Sequence, residues 1–157
     1  MRSSRAVLLL LSILFSVATS RVSAQDAQAR LWDAAMAGDT AAIRKAVKEG
    51  AKVDSLDTRR SANGRYALNW AAWFNKADAV KLLIELKAPI EAENLTGFTA
   101  LNHAAENGSL DAAKILLAAG ADPDHATKQG YTPQVIARER GHAELAKLLE
   151  AAPRKKK

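Results

Sequence analysis

The chain has 157 residues, no cysteine, and 23 Lys and Arg against 17 Asp and Glu, a formal charge of +6. The length admits one compact domain or a short repeat array and excludes a large multidomain assembly. The missing cysteine excludes a disulfide framework, thiolate zinc sites, iron–sulfur ligation and a thiol nucleophile. Of the hydrophobic residues 34 are alanine, and only eight residues are aromatic, which favours helix and close helix packing over a thick aromatic core.

The first 24 residues read as an export signal. Arg2 and Arg5 give a positive start, Ala6 to Ala18 is apolar apart from Ser12 and Ser16, and Val22-Ser23-Ala24 ends in small residues suited to cleavage before Gln25. The competing reading, an uncleaved anchor, needs about 20 apolar residues, and this run has 13. Without residues 1–24 the charge falls to +3, and the last four residues, Arg154, Lys155, Lys156 and Lys157, carry +4. The body from Gln25 to Pro153 therefore sums to −1 and offers no basic footprint for nucleic acid.

That body repeats itself. Gly97-Phe98-Thr99-Ala100-Leu101-Asn102-His103-Ala104-Ala105 aligns 33 residues on with Gly130-Tyr131-Thr132-Pro133-Gln134-Val135-Ile136-Ala137-Arg138, and 33 residues back with Gly64-Arg65-Tyr66-Ala67-Leu68-Asn69-Trp70-Ala71-Ala72. A degenerate first copy, Leu31-Trp32-Asp33-Ala34-Ala35, matches the second at an offset of 37, which places four extra residues somewhere in Ser55 to Asn63. Such units cannot bury their apolar faces alone, and three or more must stack.

Within each copy the pattern predicts two short helices and a loop. In the third, Thr99 can cap a helix through Ala104-Ala105, Gly108 breaks it, and a second helix runs from Ser109 to Ala119 with Leu110, Ala113, Ile115, Leu116 and Leu117 on its buried side. Gly120-Ala121-Asp122-Pro123 then stops it.

The Gly97–Ala105 run and the Gly120-Ala121-Asp122 element resemble the ankyrin repeat, as does Gly50-Ala51-Lys52 without the acid. The resemblance spans about residues 27–152 and implies an all-α solenoid of about four helix-turn-helix repeats, near 27–54, 64–91, 97–124 and 130–152, with a basic tail over 153–157. The pattern's histidine is replaced by Asn69, Asn102 and Val135, so polar bonding between repeats must differ there. Gln134 and Arg138 suit a capping unit whose outer face meets water.

No catalytic constellation is apparent, and no cofactor or metal is expected. His103, His125 and His142 form no pair at metal-ligand spacing on one helix. His103 reads as a buried core histidine. Asp122, Asp124 and His125 could touch a cation, although loop polarity explains them as well. Ser55, Ser61 and Ser109 lack a nucleophile context. An unrecognised hydrolase or metal enzyme is thus a remote alternative.

The resemblance implies that residues after the loop glycine and after the alanine pair carry partner contacts. Here these are Met36, Arg65, Trp73, Phe74, Phe98, Glu106, Asn107, Tyr131, Glu139 and Arg140. Trp73, Phe74, Phe98 and Tyr131 would form an aromatic stripe flanked by Arg65, Glu106 and Arg140, the residue types that dominate interfaces. Trp70 is expected in the core, and Trp32 over the open end of the stack. The expectation is an exported, monomeric, non-enzymatic module that binds a protein partner, either protecting it or neutralising a toxin. The alternative is an envelope adaptor held on anionic lipid by Arg154 to Lys157.

Overall fold

The computed structural model describes residues 24–59 and 62–154. The expected leader up to Ser23, and Lys155 to Lys157, lie outside that range. The described residues form eight helices: α1 (24–37), α2 (Thr40–Lys48), α3 (Ala67–Trp73), α4 (Ala77–Glu85), α5 (Ala100–Asn107), α6 (Leu110–Ala118), α7 (Pro133–Glu139) and α8 (Ala143–Ala151). They pair in chain order. The first helices stack as α3 on α5 and α5 on α7, and the second helices as α2 on α4, α4 on α6 and α6 on α8.

Local sequence sets several of these boundaries. The side chains of Asp39, Thr99 and Thr132 accept hydrogen bonds from the backbone N–H three residues on, satisfying helix-end donors. Gly108 closes α5 in the left-handed conformation at φ 68°. Alanine at 71, 72, 104, 105 and 137 is fully buried and lets the first helices approach closely. The second helices supply the bulk: Leu83, Leu116 and Leu149, spaced 33 apart, are each fully buried. Each such leucine contributes on the order of 1.5–3 kcal/mol.

The asparagines in the histidine slot work in two directions. Asn102 accepts from the backbone N–H of Thr99 at 2.9 Å, closing a capping box, while its Nδ2 donates to the His125 carbonyl at 3.2 Å in the next loop. Asn69 likewise accepts from Tyr66 N and donates to the Phe98 carbonyl. Both are buried, so both sets of bonds are needed to offset desolvation.

Three loops project beside the first helices, each closed at its base by one backbone bond. Asp57 N donates to Arg65 O at 2.8 Å, Asn94 N to Phe98 O at 2.9 Å, and Thr127 N to Tyr131 O at 3.0 Å. Asp57, Asn94 and Thr127 are buried, and their side-chain oxygens accept backbone N–H groups of their own loops. Seven residues lie between the closing pair in the first loop and three in the others, so the insertion lies between Asp57 and Arg65.

Arg154 is not the start of a free tail. Its Nη1 donates to the carbonyls of Leu149 and Ala152 at 2.9 and 3.0 Å, capping α8, and its Nε lies 3.0 Å from Asp124. Among the described residues no helix is long and apolar enough to cross a membrane.

Candidate functional site

An open cavity of about 210 Å³ lies between the loop tips and α5. Asn63, Thr96 and Gln129, each immediately before a loop glycine, line its rim; Arg65, Phe98, His103 and Glu106 complete it. Asn63 Nδ2 donates to Thr96 Oγ1 at 3.4 Å, and Lys128 N to Thr96 O at 3.3 Å, so the loops are tied side by side.

The inserted loop sets one wall. Asp57 is fully buried and receives Arg59 in a fork, with Nε 2.9 Å from Oδ1 and Nη2 2.7 Å from Oδ2. Trp70 Nε1 donates to the same carboxylate at 3.0 Å. The hydrogen bonds to Asp57 hold Arg59 above its ordinary pKa against some desolvation, and Arg59 also reaches Asp33 at 2.6 Å. The guanidinium of Arg59 lies 5.3 Å from the Trp32 ring, whose Nε1 donates to Ser55 O. Trp32 is therefore buried against this loop.

Trp70 packs against the core as expected but is only half-buried. Its indole N–H binds Asp57 and its outer ring face receives Arg65, so one side serves the core and the other the polar loop. Arg65 Cζ lies 4.6 Å from the Trp70 ring and 4.7 Å from the Trp73 ring, within cation–π range. Burial lowers the Arg65 pKa against the opposing pull of Glu106 and Asp57.

His103 is buried, and its neighbours decide its tautomer. Asn94 Oδ1 accepts from Thr96 N, Thr96 Oγ1 and Phe98 N, which fixes the amide so that Nδ2 faces His103 Nε2 at 3.2 Å. Nε2 must then accept, leaving the proton on Nδ1, 3.5 Å from Glu106 Oε2. At that length the contact is electrostatic and short of a full hydrogen bond. Glu106 Oε1 takes Arg140 Nη2 from α7's C-terminal end at 3.1 Å. The facing His103 N–H, then the charges of Arg140 and Arg65, hold Glu106 below the usual carboxylate range, against burial.

The aromatic stripe is differently composed than expected. Trp73 and Phe98 both meet His103, at centroid distances of 5.5 and 5.1 Å, whereas Phe74 stacks on Trp70 at 6.2 Å. Tyr131, 40% exposed at the last loop, makes no ring contact among the described residues. Arg65, Trp73, Phe98, Glu106 and Arg140 thus converge. Met36 and Glu139 stand outside this cluster, on α1 and α7. Asn107 donates to the Trp73 carbonyl at 2.8 Å, joining α5 to α3. Its spacing in the sequence gave no sign of that bond.

The loop anchors Asp57 and Asn94 escaped sequence reasoning. Their offset of 37, the same as between the first two copies, was the available signal. The possible cation cluster is dispersed: His125 faces Glu91 and Glu93, Asp122 N donates to Glu91, and Asp124 pairs with Arg154.

The stacked helix pairs, the row of loops and the 33-residue register find their counterpart in one family model, described as ankyrin repeats (3 copies), which matches residues 31–127. The chain belongs to the ankyrin-repeat family. Ankyrin repeats generally mediate protein–protein interaction and are typically non-enzymatic. A search of curated proteins found no match to the chain.

This ankyrin-repeat chain carries a pH dependence in His103. Burial, with Arg65 nearby, lowers its pKa against the favourable influence of Glu106. The unfolded chain therefore binds the proton more readily. Stability is expected to fall as pH drops below about 6.5, the ordinary histidine value, until the folded pKa is passed. Glu106, with its lowered pKa, adds a second loss as pH falls below the ordinary carboxylate range. Denaturant midpoints from pH 8 to 4 check this: His103→Leu should lower stability overall yet flatten the segment just below pH 6.5.

Proposed function

We propose that the protein is a non-catalytic interaction module, exported to the cell envelope, that holds a protein partner in the groove between its loop tips and first helices. Protection of an envelope protein and neutralisation of a toxin both fit this role. The observation that carries the reading is the open cavity lined by Arg65, Phe98 and Glu106, with Trp73 packed on Arg65 and His103 beside it, while the apolar scaffold behind it is buried. Arginine and tryptophan that are partly exposed on a rigid framework supply most of the energy at protein interfaces. Phe74, 43% exposed beside Trp70, extends the apolar margin.

Affinity capture from envelope extract tests the groove. Wild type should retain partners that Trp73→Ala/Phe74→Ala retains at least tenfold less, with unchanged helix content by circular dichroism. Equal retention would place the binding surface elsewhere. Export is tested by fusing residues 1–24 to a reporter active only outside the cytoplasm; an inactive reporter removes the envelope assignment.

A further inference from the structure

The cavity contains one cation whose hydrogen-bonding capacity is unused. The Arg65 guanidinium makes no hydrogen bond and no ion pair among the described residues, and its Nε is buried without a partner. Its contacts are the faces of Trp70 and Trp73. The nearby carboxylates are committed elsewhere: Asp57 to Arg59 and Trp70 Nε1, Glu106 to Arg140 with its second oxygen facing His103. A guanidinium presents its donors as a planar fork that matches the two oxygens of a carboxylate. Two indole faces fix the plane of this fork in advance, so little orientational freedom is lost on binding.

We propose that Arg65 is the anchor for an acidic side chain, Asp or Glu, of the protein partner, inserted through the cavity mouth onto the guanidinium. The inference rests on the groove being the partner surface and names the chemistry it selects. Phe98 lines the path beside the methylenes of such a residue, and Asn63, Thr96 and Gln129 offer donors and acceptors to the backbone that carries it.

Selection of linear peptides from a phage-displayed library on the full-length protein tests this. Enriched peptides should share an Asp or Glu at a fixed position. Changing it to Asn or Gln should weaken binding about thirtyfold, the level of an interface hot spot. Arg65→Gln should weaken binding as much, Arg65→Lys should recover only part, and the paired changes should cost no more than either alone. Peptides lost on Trp73→Ala but indifferent to Arg65→Gln would overturn the carboxylate anchor and leave the groove standing. A selection yielding nothing, or only peptides indifferent to both, would overturn both. If Arg65→Gln does not fold, the acid-to-amide change in the peptide decides: unchanged affinity overturns the anchor.

Discussion

Arg59→Ala is expected to destabilise the protein by about 3 kcal/mol, because it strands a fully buried carboxylate. Asp57 would lose three side-chain contacts and keep the backbone N–H of residue 59 and Trp70 Nε1, which holds the penalty to the lower end of the range for broken buried pairs. The melting temperature should fall by roughly 10 °C for a domain of this size. Removing the charge together with its partner, in Asp57→Ala/Arg59→Ala, should cost less, about 1–2 kcal/mol, since no ion is then left desolvated. Thermal and urea unfolding of the two variants decide the point. A double variant weaker than Arg59→Ala would show that Asp57 stabilises chiefly through Trp70 and the loop backbone.

Gly97→Ala is the second large effect. Gly97 sits at φ +81°, and an added Cβ would lie 2.7 Å from the Lys128 backbone nitrogen of the neighbouring loop. The left-handed conformation alone costs a non-glycine residue roughly 1–2 kcal/mol. Backbone cannot rotate away as a side chain can, so loop separation and rupture of the Lys128 N to Thr96 O bond raise the total to about 3 kcal/mol. Gly120→Ala is the control, having φ +89° and nothing within 4 Å of its added Cβ. It should cost only the conformational part. Equal unfolding midpoints for the two variants would show that the loops are not packed on one another as described.

The fold was legible because its signals are local and periodic. Thr99 and Gly108 mark helix ends by residue type and Leu116 a core position by helical spacing, and the structure repeats that burial 33 residues away on either side at Leu83 and Leu149. The site was only partly legible. The family resemblance points to Arg65, Trp73, Phe98 and Glu106, but which of them meet depends on side-chain directions that Asp57 and Asn94 set from other loops. Trp70 illustrates the limit: an aromatic one position before an alanine pair reads as core, and a buried acid 13 residues earlier turns it into a platform for Arg65. Tyr131 illustrates the reverse, an aromatic in register that has no ring beside it.

The backbone pair between Asp57 and Arg65 has a consequence for how this array can change. It seals the first loop at its root, so the length of chain beyond it is uncoupled from the pitch of the helices. Going from three to seven enclosed residues roughly doubles the segment, and doubling a flexible loop costs only about 0.6 kcal/mol of closure entropy. The stretch between Arg59 and Arg65 is therefore a place where sequence can be lengthened, shortened or exchanged for another binding segment while the remaining repeats keep their spacing, provided the acid at the root, its arginine and its tryptophan are retained.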